Sequence, residues 1–125
     1  MSAIKSRGNR STEMKLAELL RRVPALKGWR RHAPLAGTPD FTWRKAKLAV
    51  FVDGCFWHGC PRCYAKPRKN AEFWAAKVES NRRRDRRVNN ELRAAGWTVL
   101  RVWECRVSNS GTLGRISRAL RASRS

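Results

Sequence analysis

Lys47-Leu48-Ala49-Val50-Phe51-Val52 is a short, continuous run rich in apolar and β-branched residues. It shows no alternation of apolar and polar positions, so it reads as a central strand covered on both faces, the pattern of a sheet layered between helices. Directly after it come Asp53-Gly54-Cys55-Phe56-Trp57-His58-Gly59-Cys60-Pro61-Arg62-Cys63-Tyr64. An acid, a histidine, two adjacent aromatics and three cysteines in so short a span are hard to explain by packing alone.

Working towards the N-terminus, Asp40-Phe41-Thr42-Trp43 leads into a basic turn at Arg44 and Lys45, and residues 24–39 read as a loop rich in Pro, Gly and Arg. Leu16, Leu19, Leu20 and Val23 recur at helical spacing, which predicts a helix from Glu13 to about Val23, capped by Thr12 and stopped by Pro24. Residues 1–11 read as a flexible basic arm. Towards the C-terminus, Ala71 to Gly96 is expected to be helical, with Asn70 as cap, Gly96 as terminator and a break near Ser80-Asn81. Trp97 to Glu104 reads as a third strand, after the one that starts at Asp40 and the run Lys47 to Val52, and Cys105 follows it. Residues 106–125 read as a tail in which Leu113, Ile116 and Leu120 mark a short amphipathic helix. The expected architecture is a single α/β domain over residues 1–125, with a central sheet flanked by helices.

Composition points to the partner. The chain carries 29 Lys+Arg against 9 Asp+Glu, a formal net charge of +20, which favours a polyanion. Nucleic acid fits better than a membrane surface, because the basic residues are spread along the chain and interleaved with tryptophan. No stretch approaches the roughly 20 apolar residues that span a bilayer. Met1 to Arg7 lacks the apolar segment of a secretory signal, so a cytoplasmic, nucleoid-associated protein without a membrane partner is expected. Reduced thiols in that compartment make clustered cysteines metal ligands rather than disulfides. Cys60-x-x-Cys63 has zinc-knuckle spacing, Cys55 is close by, and Cys105 follows a strand that folding can bring alongside; four thiolates would close a structural Zn²⁺ site. The competing reading is four buried core cysteines.

Asp40 and Asp53 flank the apolar strand in a chain short of acids. If the two strands pair as a hairpin, both carboxylates lie near one end of the sheet, where oxygen ligands suit Mg²⁺. The alternative is that each serves a turn or cap. His58 has three open readings: zinc ligand, surface residue, or general base. His32, in Arg30-Arg31-His32, is expected to contact phosphate or to have no specific role. Phe56, Trp57 and Trp74 sit in polar contexts and suit stacking on bases or wedging between them. Core packing is the better reading for Trp29, Trp43, Trp97 and Trp103. Arg82, Arg83, Arg84, Arg86 and Arg87 form a charged run suited to phosphate contacts without sequence readout.

Taken together, several segments carry a specific resemblance. Thr12-Glu13, Pro34-Leu35-Ala36-Gly37-Thr38-Pro39-Asp40-Phe41, Gly54-Cys55-Phe56-Trp57-His58, Glu72-Phe73-Trp74, Arg84-Asp85-Arg86-Arg87 and Gly96 to Cys105 are spread from Met1 to about Arg106. Over that span the chain resembles the very-short-patch-repair (Vsr) DNA mismatch endonucleases. The resemblance implies a restriction-endonuclease-like fold with a central mixed sheet and a structural zinc site. It implies Mg²⁺-dependent nicking of double-stranded DNA 5′ to the thymine of a T:G mismatch, the product of 5-methylcytosine deamination. By position it makes Asp40 the catalytic metal ligand, the Val52 main-chain carbonyl a second ligand, His58 the general base and Glu13 a supporting catalytic acid. Phe56, Trp57 and Trp74 match the intercalating aromatics, and Cys55, Cys60, Cys63 and Cys105 match the zinc ligands. Cys63 stands where the family often has histidine, which zinc tolerates. Val52 and Asp53 stand where the best-known member has other side chains; a main-chain ligand survives that change, and Asp53 becomes a candidate further ligand. The chain starts inside the family's usual N-terminal arm, so a weaker grip on DNA is expected.

A monomer is expected, with mismatch-repair factors as further partners. Two rivals stand beside this reading. A zinc-containing DNA-binding module without catalysis explains charge and cysteines but not Asp40, Asp53, His58 and Glu13. A nickase or restriction nuclease of the same fold would share the metal site and differ in substrate. A cationic structural or ribosome-associated protein would need neither metal nor mismatch.

Overall fold

The computed structural model describes residues 10–54, 69–108 and 110–124. These form a mixed α/β arrangement of four strands and three helices. Helix α1 spans Arg10–Arg21, β1 Trp29–Arg31, β2 Phe41–Trp43, β3 Leu48–Asp53, α2 Ala71–Ala94, β4 Thr98–Trp103 and α3 Ser110–Arg124. The sheet order is β1-β2-β3-β4. β1 and β3 both run antiparallel to β2, whereas β3 and β4 are parallel and in register from Leu48↔Thr98 to Asp53↔Trp103. A parallel neighbour needs a crossover, which α2 provides. The architecture is consistent with the restriction-endonuclease-like fold that the resemblance implies.

All six residues of β3 are buried, as its unbroken apolar run predicts. Leu48, Val50 and Val52 join Leu16, Ala17 and Leu20 of α1, Phe41, Trp43, Val102, Ile116 and Leu120 in one core. Ala49 and Phe51 point the other way, into a smaller core with Leu92, Val88, Trp97 and Val99. That division follows from the two-residue period of a strand. It places α1 and α3 on one face of the sheet and α2 on the other. Each large apolar side chain buried in this way contributes about 1.5–3 kcal/mol before entropy is set against it.

Several boundaries differ from the sequence reading. α1 begins at Arg10, inside the stretch that reads as an arm, so Thr12 is not a cap: its hydroxyl donates to Glu104 Oε2 at 3.3 Å. β1 lies within residues 24–39, which read as a loop. α2 runs without a break through Ser80 and Asn81, and Asn81 is buried. Asn70 makes no side-chain capping bond; it sits in the left-handed region at φ 58°, and its carbonyl accepts from Trp74 N–H. The expected terminator holds. Gly96 has φ +93°, and Trp97 N–H returns to the Leu92 carbonyl at 2.9 Å, closing the helix end. The C-terminal helix has 15 residues and is not short. Of the four tryptophans expected in the core, Trp43 is buried, whereas Trp29, Trp97 and Trp103 are half-buried.

Candidate active site and nucleic-acid face

The site is built where β2 begins. Gly37 and Thr38 both have positive φ, at 72° and 48°, and this sharp turn delivers Asp40 to the strand end. Asp40 is 1% exposed, and its Oδ2 accepts a hydrogen bond from Val52 N–H at 2.7 Å. The antiparallel hairpin expected from sequence is present, with Phe41 opposite Val50.

Two further side chains converge on Asp40. Glu13, buried on α1, accepts from Arg31 Nη2 at 2.7 Å, and the same Oε1 lies 3.0 Å from His32 Nε2. His32 Nε2 is in turn 4.0 Å from Asp40 Oδ1. One ligand atom from each of Glu13, His32 and Asp40 lies within 4.8 Å of the others. Donors about 2.1 Å from a six-coordinate cation stand about 3–4.2 Å apart, so only slight closure is needed for these atoms to share one ion. The two carboxylates are buried whereas His32 is half-exposed, so the cluster reaches solvent through the imidazole. The donor set therefore fits a divalent cation.

Sequence reasoning brought Glu13 and Asp40 to this place but missed His32 and Arg31. The signal was weak: an Arg-His pair in a basic loop, 18 and 19 residues from Glu13. Asp53, at the end of β3, pairs with a cation of β4. Its Oδ1 accepts from Arg101 Nη1 at 2.9 Å, and that nitrogen is 3.6 Å from Asp85 of α2. The guanidinium lies 4.1 Å from the Phe51 ring centroid and also donates to Asn89 Oδ1. These contacts lie on the α2 face of the sheet, whereas Glu13 comes from the α1 face, and among the described residues the Glu13–His32–Asp40 group does not include Asp53.

Trp74 lies in the first turn of α2, beside Phe73, which is 61% exposed; the rings meet edge to face at 5.1 Å. Arg82, Arg83, Arg84, Arg86 and Arg87 are exposed further along the same helix. Arg83 and Arg86 share Glu79 at 3.4 and 3.6 Å. A second basic feature is a cleft of about 1050 Å³ whose lining includes Lys27, Arg30, Arg44 and Lys45, so the expected basic turn at Arg44 opens onto it. Cys105 is exposed in the helical turn Glu104–Arg106 that follows β4. Cys55, Phe56, Trp57, His58, Cys60 and Cys63 lie outside the described residues.

Comparison with known proteins bears on this geometry. Residues 1–64 match the model of the family described as DNA mismatch endonuclease Vsr. The chain is 42% identical over 105 residues to the type II nicking enzyme V.NmeDIP of Neisseria meningitidis serogroup C, covering 82% of the chain and 70% of that relative. It is 52% identical over 66 residues to the type II nicking enzyme V.NaeI of Lentzea aerocolonigenes, covering 53% of the chain and 40% of the relative. It is 44% identical over 75 residues to the DNA mismatch endonuclease Vsr of Escherichia coli strain K12, covering 58% and 47%. Against several of these relatives the matched part spans only about half of their length.

Proposed function

Given that the chain belongs to the Vsr family of DNA mismatch endonucleases, we propose that it is a Mg²⁺-dependent endonuclease that nicks double-stranded DNA 5′ to the thymine of a T:G mismatch. The observation that carries this reading is the buried Asp40 carboxylate at the start of β2, bonded to Val52 N–H, with Glu13 and His32 within 4.8 Å. A binding module without chemistry has no use for two buried carboxylates on an otherwise basic surface.

Asp40 and the Val52 carbonyl would hold the cation. In an extended strand the N–H and C=O of one residue point to the same neighbour, so the bond from Val52 N–H to Asp40 directs that carbonyl towards the same edge. A bound divalent cation supplies charge to a scissile phosphate and to the negative charge that grows on it. His58 takes the proton from the attacking water, a contribution of about 10²–10⁴-fold for a positioned base. Glu13 keeps Arg31 and His32 in place around Asp40. Phe56, Trp57 and Trp74 wedge beside the mismatch, where a T:G wobble unstacks at lower cost than a matched pair. The α2 arginines hold the backbone. Cys55, Cys60, Cys63 and Cys105 hold a structural Zn²⁺. The protein acts as a monomer on cytoplasmic DNA, and repair factors take over the nick. Among the described residues no helix is long and apolar enough to cross a membrane.

A second reading is favoured by what the relatives are called. V.NmeDIP and V.NaeI are type II nicking enzymes, so the scaffold also suits a nickase with another DNA substrate. One assay separates these readings. Duplexes that differ only in T:G versus C:G are incubated with Mg²⁺ or EDTA, using the wild type, Asp40→Ala and His58→Ala. A Mg²⁺-dependent nick 5′ to the mismatched thymine, lost in both variants, is expected. Equal cleavage of both duplexes would remove the mismatch specificity. No cleavage by a folded wild type would leave a binding module.

A further inference from the structure

His32 is the residue at the candidate site to which nicking by Asp40 and His58 gives no chemical role. Its ring lies 3.0 Å from Glu13 Oε1 and 4.0 Å from Asp40 Oδ1. Its backbone is held in the left-handed region at φ 51°, and its N–H donates to the Asp40 carbonyl at 3.4 Å. A non-glycine residue at positive φ carries a conformational cost of order 1–3 kcal/mol, and such residues gather at functional sites. A cationic partner for Glu13 is already present in Arg31 at 2.7 Å. An imidazole beside two buried carboxylates thus adds a different property, a nitrogen donor.

Resting on the reading of Asp40 as a metal ligand, we propose that His32 Nε2 is a further protein ligand of the divalent cation, completing a Glu13–His32–Asp40 set that takes Mn²⁺ as well as Mg²⁺ and holds Mn²⁺ the more tightly. Mg²⁺ is hard, favours oxygen and dehydrates reluctantly. Imidazole suits first-row transition ions, so adding it to two carboxylates moves the preference towards Mn²⁺. The half-exposed ring gives the ion a path from solvent to carboxylates that are otherwise enclosed.

The test is equilibrium Mn²⁺ binding to the purified full chain, read from the EPR signal of free Mn²⁺ and by competition with Mg²⁺. It is joined by detection of imidazole nitrogen coupling to bound Mn²⁺ by pulsed EPR. The chain has two histidines, His32 and His58, so a coupling seen in His58→Ala comes from His32. The wild type is expected to bind Mn²⁺ at least tenfold more tightly than Mg²⁺. His32→Ala is expected to lose about 10–100-fold in Mn²⁺ affinity, with a smaller loss for Mg²⁺. His32→Gln, which keeps a polar side chain facing Glu13, is expected to lose the nitrogen coupling as well. Absence of that coupling in His58→Ala, or an unchanged Mn²⁺ affinity in a folded His32 variant, overturns the proposal. Undiminished Mn²⁺ binding by Asp40→Asn would instead overturn the Asp40 reading on which it rests.

Discussion

Val52 N–H donates to Asp40 Oδ2 at 2.7 Å, tying the residue just ahead of β2 to the last apolar residue of β3. The bond is buried, and the residues are 12 apart in sequence. It fixes the carboxylate in position before any ligand arrives, the preorganisation that electrostatic catalysis requires. Asp40→Asn keeps an oxygen in place for Val52, so its stability should change by less than about 1 kcal/mol. Asp40→Ala strands the buried N–H and should cost about 1–3 kcal/mol. Both should show no detectable nicking. Urea unfolding beside the nicking assay checks this, and an active Asp40→Asn protein would remove Asp40 from the chemistry.

What the sequence made legible was what short-range pattern encodes. β3 was readable because a strand buried on both faces is apolar at every position, and Asp40 was readable as the acid ahead of it. β1 was not, since three residues, two of them arginine, are too few to show a period. The partner of Asp53 was equally hidden: Arg101 is 48 residues away and reaches it only because β3 and β4 pair in parallel. His32 joins Glu13 through tertiary packing of α1 against the end of β1, which no local spacing announces. Resemblance supplied the roles of Glu13 and Val52, which spacing alone did not.

Gly37 shapes the turn that carries Asp40. A Cβ there would stand 2.7 Å from Val88 Cγ1 of α2, and φ is +72°, so both space and backbone exclude a side chain. Gly37→Ala should cost about 1–2 kcal/mol for the backbone conformation and about 1–3 kcal/mol more from overpacking, and should impair nicking by shifting Asp40. Gly28 also has positive φ, at +101°, but a Cβ placed there would meet no atom within 4 Å. Gly28→Ala should therefore cost only the conformational term, about 1–2 kcal/mol. Urea midpoints of the two variants test the order; a Gly37→Ala protein more stable than Gly28→Ala would contradict the packing argument.

Arg101 bridges Asp53 and Asp85 while lying against Phe51, and its side chain is 19% exposed. Arg101→Met would leave two acids facing each other beside the apolar core. Removing one partner of a buried pair costs about 3–5 kcal/mol; with this partial exposure about 2–4 kcal/mol is expected. Adding Asp53→Asn to Arg101→Met should restore part of the loss, because one of the two neighbouring acids is then neutral. A double-mutant cycle measures the coupling, and strictly additive losses would show that the pair is not an energetic unit.

Arg83 and Arg86 share Glu79 on the exposed face of α2. Exposed pairs of this kind contribute about 0–1 kcal/mol, so both guanidinium groups can turn to phosphates at little cost. Changing both to Gln should leave folding stability within about 0.5 kcal/mol. The slope of log affinity against log salt for duplex DNA should fall in magnitude by about 0.9 for each phosphate that the arginines no longer neutralise. Binding titrations from low to moderate salt check this. An unchanged slope would place the DNA backbone elsewhere, with the basic cleft around Arg44 and Lys45 as the next surface to test.

Cys105 stands two residues past the end of β4, so a metal bound there would pin the strand that pairs with β3 along its whole length. If it shares one Zn²⁺ with Cys55, Cys60 and Cys63, the purified chain should contain one zinc per molecule, because four thiolates complete a tetrahedral shell. Cys105→Ser should then bind zinc more weakly and lose it to a chelator that leaves the wild type loaded. Stability should fall with it, since structural zinc binding is part of the folding free energy. Elemental analysis and thermal unfolding, with and without the chelator, give the answer. A wild-type chain that carries no zinc and melts identically in chelator would show that the four cysteines hold no structural metal, and that the anchoring of β4 rests on its backbone pairing alone.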